Sequence, residues 1–278
     1  MNIEDKFEIL KARLKEMNRF VVAFSGGVDS TFLLKSAVLS GAAKVVAVTG
    51  MSESVAEAEV SFTREFTAAN NMIHIEVRTE ELNDPEYNSN PPDRCYYCKK
   101  ELFERLSGIA AAEGCLYVLD GSNIDDAGDW RPGSRAAAEA GVISPLQEAG
   151  LSKAEIRELS KILGLPTWDK PSAPCLASRF PYGHKITADL LDRVGRAEKY
   201  LRQQGLKELR VRCHGDLARV EIPVESFETL TGAARESIVS YMQSLGFRHV
   251  TLDLQGFRSG SANEVLTSDH GYERKING

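Results

Sequence analysis

Three groups of residues in this sequence have types and spacings suited to chemistry. The first is Ser25-Gly26-Gly27-Val28-Asp29-Ser30, followed directly by Thr31. Two adjacent glycines let a backbone turn tightly and approach a ligand closely. If a helix begins here, its unpaired N–H groups and the positive end of its dipole make an anion site suited to phosphate. Ser25, Ser30 and Thr31 add hydroxyl donors. The Gly-Lys-Ser/Thr ending of the common phosphate loop is absent, so the segment offers no lysine to grip a terminal phosphate. A glycine pair by itself also fits a strand-to-helix turn that binds nothing.

The second group is Asp120-Gly121-Ser122-Asn123-Ile124-Asp125-Asp126. Its carboxylates can hold Mg²⁺, or they can form a solvated acidic turn. Arg131-Pro132-Gly133 follows and could reach a phosphate. The third group is the thiols. Among five cysteines, Cys95 and Cys98 form a Cys-x-x-Cys pair and Cys175 stands in a proline-rich stretch. Such a pair could be half a zinc site or a redox couple, although no second pair completes the former. Cys115 and Cys213 fall within strand-like apolar runs and read as packing residues.

The elements that must position these groups alternate. Arg19–Phe24, Lys44–Thr49, Ile73–Val77 and Leu116–Leu119 are short apolar runs, as in buried parallel strands. Helical patterns lie between them, over Thr31–Leu39, Val55–Ala69 and Lys99–Ala112. Ser152 and Glu155 form a capping box ahead of Ile156, Leu159 and Leu163, and Gly164 and Pro166 stop that helix. This grammar predicts an α/β fold with a doubly wound parallel sheet over residues 1–166. Residues 167–185, with Pro171, Pro174 and Pro181, read as an active-site loop or linker. Residues 186–278 read as a smaller α+β domain with antiparallel pairing. It has a helix over Ala188–Gln203, strands Leu209–Cys213 and Ala218–Ile222 joined by His214-Gly215-Asp216, one helix over Phe227–Leu245, and strand Val250–Leu254.

The bulk numbers narrow the class. The chain has 278 residues, 42% hydrophobic and 27% charged, with a net charge of −6. That balance is ordinary for a soluble domain and disfavours a general nucleic-acid partner, which would be basic. No signal peptide or membrane span is visible, so a reducing cytoplasm is the expected compartment. A homo-oligomer is expected, with no residue fixing its order.

The pattern Ser-Gly-Gly-x-Asp-Ser matches the PP-loop of the ATP pyrophosphatases, which cleave ATP between the α and β phosphates and release pyrophosphate. Two more segments sharpen the likeness: Pro91-Pro92-Asp93-Arg94-Cys95-Tyr96-Tyr97-Cys98-Lys99-Lys100 and Asp169-Lys170-Pro171-Ser172-Ala173-Pro174-Cys175-Leu176-Ala177-Ser178-Arg179-Phe180-Pro181-Tyr182-Gly183. With them the chain closely resembles the LarE family, the sulfur-inserting enzymes of nickel-pincer nucleotide cofactor synthesis, over nearly its whole length. The resemblance implies ATP and Mg²⁺ as cofactors and a small-molecule nucleotide, pyridinium biscarboxylate mononucleotide, as substrate. It implies adenylation of a ring carboxylate and its conversion to a thiocarboxylate.

On residues, the likeness implies nucleotide contacts at Ser25, Gly26, Gly27, Asp29, Ser30, Thr31, Gly121 and Asp125, with Mg²⁺ on Asp126. Cys175 is the sulfur-transfer position, with Asp29, Arg179 and Ser178 as further catalytic residues. In one subtype Cys175 surrenders its own sulfur and becomes dehydroalanine. In another, Cys95, Cys98 and Cys175 hold a four-iron four-sulfur cluster with one open iron. Substrate binding is implied at Arg210, Arg212, Glu198, Glu221 and Arg258. Strand alternation sets Arg210 and Arg212 on a polar face opposite Leu209, Val211 and Cys213. That face reads either as a phosphate reader or as solvated surface. Under the first reading, Arg212→Ala would weaken substrate binding and leave the fold intact. The rival functions are a transfer-RNA thiolation enzyme, an ammonia-using synthetase of the NAD or GMP type, and a non-catalytic nucleotide-binding module.

Overall fold

The structure, a computed structural model, describes residues 1–128 and 132–258. Arg131 and the residues after Arg258 lie outside the described residues. The chain divides into two compact units, Met1–Ala173 and Pro174–Gly278, with the division inside the proline-rich stretch.

In the first unit, helix α1 (Ile3–Met17) precedes strand β1 (Arg19–Ala23), and helix α2 (Val28–Leu39) leads to β2 (Lys44–Met51). Helix α3 (Glu57–Ala69) leads to β3 (Ile73–Arg78). The short helix α4 (Pro85–Asn88) and the long α5 (Arg94–Ala112) lead to β4 (Tyr117–Leu119). Helices α6 (Pro132–Glu139), α7 (Pro145–Glu148) and α8 (Lys153–Ile162) complete the unit. The strands are all parallel, in the order β3-β2-β1-β4. The central strand alternates between two cores. Phe20 and Val22 pack with Leu10, Phe32 and Ile156 on one face, and Val21 packs with Phe103 and Leu106 on the other. Each such fully buried side chain contributes about 1.5–3 kcal/mol. Chain order reverses direction between β1 and β4, and open parallel sheets bind ligands at the carboxyl ends of such strands.

Helix α5 begins five residues before the start expected from its apolar pattern. Pro91-Pro92 ends the preceding segment, and the Arg94 and Tyr96 N–H groups already donate to the Pro91 and Asp93 carbonyls. Cys95 and Cys98 therefore sit in the first two turns of a helix rather than ahead of it.

In the second unit, helix α9 (Ala188–Gln203) is capped by the Thr187 hydroxyl accepting from the Leu190 N–H at 3.3 Å. Strands β5 (Arg210–His214) and β6 (Leu217–Glu221) form an antiparallel hairpin. Two expectations fail beyond it. The single helix over 227–245 is two, α10 (Phe227–Thr231) and α11 (Arg235–Ser244). At Gly232 the backbone leaves the helical region (ψ −144°), and a Cβ there would lie 2.7 Å from the Glu228 carbonyl oxygen, so only glycine permits this exit. Strand β7 (His249–Leu252) pairs with β6 in parallel, not antiparallel, because the two helices carry the chain back as a crossover.

Helix α8 opens as its sequence requires: the Ser152 hydroxyl accepts from the Glu155 N–H, and the Glu155 carboxylate accepts from the Ser152 N–H. Glu155 also pairs with Lys6 of α1 at 2.7 Å. We expect Ser152→Ala to destabilise the first unit by about 1 kcal/mol, read as a lower urea midpoint of its unfolding transition.

Candidate active site

The glycine loop occupies the turn from β1 into α2. Gly26 takes a left-handed backbone (φ +72°), and a Cβ there would lie 2.9 Å from the Phe62 ring, so geometry and space both demand glycine. Gly27 is the N-cap of α2 and supplies no side-chain cap, which leaves the helix's first N–H groups without a side-chain acceptor at that position. The Ser25 and Ser30 hydroxyls lie 3.1 Å apart. Thr31 is fully buried, and its hydroxyl has no partner among the described residues.

The loop after β4 lies directly against this turn. A Cβ on Gly121 would lie 3.0 Å from the Ser30 nitrogen, so the absence of a side chain is what allows the approach. Asp120 is held by Ser122 and Ser144, whose hydroxyls donate to it at 2.8 and 2.7 Å. A cavity of about 540 Å³ lined by Asp120, Ser122, Asp126 and Ser144 opens beside it, large enough for a small-molecule ligand.

Two lysines reach the glycine loop from far along the chain. The Lys153 ammonium pairs with Asp29 Oδ2 at 2.5 Å, and its backbone N–H donates to Asp125 Oδ2 at 2.8 Å. Lys170 donates to the Gly26 carbonyl at 3.0 Å, pairs with Glu59 at 2.6 Å and lies over the Phe62 ring. The segment itself carries no lysine, and the folded chain brings two to it from elsewhere. Sequence spacing carried no sign of either contact; the capping box before Lys153 marked a helix start and nothing more. The Lys153–Asp29 pair is partly exposed, and pairs of that kind contribute about 0.2–1 kcal/mol. Asp29 Oδ1 is buried with no hydrogen-bond partner among the described residues. A buried acceptor left so costs about 1–3 kcal/mol, which a bound cation or donor would recover.

Asp126 Oδ2 accepts from the Asn123 N–H at 3.0 Å within its own turn. Cys95 and Cys98 lie one turn apart on α5, exposed and half-buried respectively. Helix α6 packs on this turn, with the Arg135 guanidinium 3.8 Å over the Tyr96 ring and the Tyr96 hydroxyl 2.6 Å from Glu139. Within each unit, among the described residues, no group of three or more His, Cys, Asp or Glu side chains is arranged to hold a metal ion.

The second unit gathers the remaining candidates. Cys175, half-buried, precedes a 3-10 turn over Leu176–Arg179. The Arg179 guanidinium donates to the Pro174 carbonyl at 3.0 Å and to the Ser178 hydroxyl at 2.8 Å, and its other edge forks onto Glu198 at 2.7 and 3.1 Å. Arg212 forks in the same way onto Glu221, at 2.6 and 3.1 Å, and donates to the Ser178 carbonyl at 2.9 Å. The hairpin register sets Arg210 opposite Glu221 and Arg212 opposite Arg219. Arg179, Glu198, Arg210, Arg212 and Glu221 are all buried. The strand face that alternation left open as solvated surface is therefore an interior charge network.

Three buried guanidiniums face two buried carboxylates here, a local cationic excess. Arg210 differs from the other two. Among the described residues its guanidinium makes one hydrogen bond, to the Arg258 carbonyl at 2.9 Å, stacks on Phe257 and has no ion pair. Burial first, and repulsion from Arg212 and Arg179 second, push its pKa down. Cys115 and Cys213 lie in the cores of their units, with thiol pKa values raised by burial.

The chain is 45% identical over 266 residues to an uncharacterised protein of Synechocystis sp., covering 95% of this chain and 99% of the relative. It is 43% identical over 261 residues, 93% of this chain and 94% of the relative, to the pyridinium-3,5-bisthiocarboxylic acid mononucleotide synthase of Lactiplantibacillus plantarum. An uncharacterised protein of Methanocaldococcus jannaschii is 29% identical over 253 residues, 90% of this chain and 96% of the relative. No protein-family profile matches the chain. Among the described residues no helix is long and apolar enough to cross a membrane.

The network corrects one expectation. Arg212→Ala is not a clean probe of substrate binding, because it strips the buried Glu221 of its bidentate partner. We expect that substitution to destabilise the second unit by about 3 kcal/mol, as breaking a buried pair does. Arg210→Ala, which breaks no ion pair, should cost clearly less. Thermal unfolding of the two variants side by side checks the difference.

Proposed function

The chain belongs to the LarE family, and from that membership we propose that it is an ATP-dependent sulfur transferase that converts ring carboxylates of pyridinium biscarboxylate mononucleotide into thiocarboxylates for nickel-pincer cofactor synthesis. The observation that carries this reading is the tie between Cys175 and a buried cationic network. Arg179 grips the backbone beside Cys175 with one edge and Glu198 with the other, while Arg210 has no ion pair among the described residues. A phosphate of the substrate bound at Arg210 would relieve the repulsion among the three arginines, and Arg212, Glu198 and Glu221 hold the frame around it. Arg258 contributes its carbonyl to Arg210.

The first unit supplies activation. A carboxylate is inert to thiolates, so it must be given a better leaving group. Its oxygen attacks the α-phosphorus of ATP, pyrophosphate departs, and an acyl-adenylate forms. The α2 N-terminus with Ser25, Gly26, Gly27 and Ser30 receives the phosphates. Mg²⁺ fits this site best at Asp29, whose Oδ1 is buried without a partner among the described residues. Asp125 and Asp126 spend an oxygen each on backbone N–H groups. When bound, the ion neutralises charge on the phosphates. Gly121 lets the second loop close on the first.

Sulfur then attacks the acyl carbon and AMP leaves. In the reading we favour, the sulfur is that of Cys175: a thioester forms, a base takes the Cα proton as the Cβ–S bond breaks with its electron pair leaving on sulfur, the thiocarboxylate departs and dehydroalanine remains. The donor chemistry of Cys95, Cys98 and Cys175 also suits an iron–sulfur cluster, which three thiolates would leave with one open iron able to carry sulfur. Cys95 and Cys98 belong to the first unit and Cys175 to the second, and the steps above do not pass through a cluster. Both versions belong in a reducing cytosol.

Incubation with ATP and the biscarboxylate nucleotide, followed by mass spectrometry of substrate and protein, tests the proposal. We expect AMP, a substrate that has exchanged oxygen for sulfur, and protein that has lost the mass of hydrogen sulfide at Cys175. Cys175→Ala should still form AMP and transfer no sulfur. Intact Cys175 after turnover, in protein carrying about four iron atoms, would move the sulfur source to the cluster. AMP formation that needs transfer RNA would overturn the substrate assignment.

A further inference from the structure

We propose that the turn after Cys175 is an oxyanion site for the elimination step. The Ser178 N–H and the Arg179 guanidinium stabilise the negative charge that reaches the Cys175 carbonyl oxygen when the Cα proton is removed. This inference rests on the reading that Cys175 surrenders its own sulfur.

Losing sulfur from the thioester leaves a double bond between Cα and Cβ, so the Cα proton must go. That proton is a weak acid, and the electron pair it leaves behind is spread onto the carbonyl oxygen of the same residue. The sulfur needs little help, because a thiocarboxylate departs as a stable anion. Donors are therefore needed at the Cys175 carbonyl oxygen, and two are there. It accepts from the Ser178 N–H at 3.0 Å, and Nη1 of Arg179 stands 3.5 Å away. Cys175 is the N-cap of the 3-10 turn, and its thiol makes no capping hydrogen bond, so the sulfur is left for the acyl group.

The guanidinium is fixed in place by its other edge. Nε and Nη2 fork onto Glu198 at 2.7 and 3.1 Å, and Arg179 is only 4% exposed, so water screens its charge little. That leaves Nη1, which has two hydrogens and three oxygens around it. These are the Ser178 hydroxyl at 2.8 Å, the Pro174 carbonyl at 3.0 Å and the Cys175 carbonyl at 3.5 Å. At rest the Cys175 carbonyl is the least served of the three. Once it carries enolate charge it is the strongest acceptor, and the hydrogen bond tightens. An interaction that is stronger in the transition state than before it lowers the barrier. In the balanced step, hydroxide from solvent takes the Cα proton and becomes water. The C–H electron pair passes through the enolate into the new double bond, and the Cβ–S pair leaves on the thiocarboxylate sulfur. No outside oxidant or reductant takes part.

Single-turnover reactions of the full chain with ATP and the biscarboxylate nucleotide, quenched in acid and followed by intact-protein mass, test this. The mass separates three forms of the chain: thiol, thioester and dehydroalanine. Arg179→Gln should slow the conversion of thioester to dehydroalanine by about a hundredfold, the effect of removing one oxyanion donor, and slow thioester formation far less. The stalled thioester then has time to hydrolyse back to the thiol, so the AMP formed per dehydroalanine should rise. Arg179→Lys keeps a charge beside Glu198 and should show a smaller elimination defect. It carries the test if far-UV circular dichroism shows that the glutamine variant does not fold. Elimination at the unaltered rate in a folded variant overturns the proposal. So does an equal slowing of thioester formation and elimination, which would mean that Arg179 only places the thiol. Unaltered protein that makes thiocarboxylate and keeps Cys175 intact overturns the sulfur reading itself, and the proposal with it.

Discussion

The first unit is organised around one backbone constraint. Between the central strand and the helix that follows it, the chain must turn at Gly26 through a conformation, and into a space, that no side chain can share. Three distant segments are built against that turn. Phe62 and Thr63 of α3 lie beneath it, Gly121 brings the loop after β4 onto it, and Lys170 holds its carbonyl. The order β3-β2-β1-β4 makes the convergence possible, because the switch in strand order falls between the two parallel strands whose ends carry the loops.

The second unit solves a different problem. Burying ions is costly, and a network of this kind rarely stabilises a fold more than apolar packing of the same volume would. Here each buried carboxylate meets a guanidinium fork, and Glu198 additionally accepts from the Val211 N–H at 3.1 Å. The geometry of Arg179, Ser178 and the backbone at Cys175 is thereby fixed. Among the described residues Arg210, unlike Arg179 and Arg212, has no carboxylate partner. The network serves placement and charge more than stability.

Much of this was legible along the chain because the physics involved is local. β-Branched runs mark the strands of a buried parallel sheet, and Ser152 with Glu155 marks a helix start. The buried role of Glu198 was also within reach, since it falls on the same face of α9 as Leu191, Val194 and Leu201. The errors arose where local patterns are silent. The apolar pattern over 227–245 continues through Gly232 although the backbone does not. A strand carries no mark of whether its neighbour runs parallel or antiparallel to it.

The sequence by itself determined the glycine turn, the alternating architecture around it, the three thiols and the family. Each is encoded in residues adjacent in the chain or at fixed short periods. Only the tertiary structure decided which cations serve that turn and which arginine stands outside the carboxylate pairs. Lys153 meets Asp29 across 124 residues, and Lys170 meets Gly26 across 144. Arg179, Glu198, Arg212 and Glu221 are brought together from a turn, a helix and two strands. Long-range pairs like these depend on how the helices and strands pack, and no spacing in the chain records which lysine will meet which carboxylate.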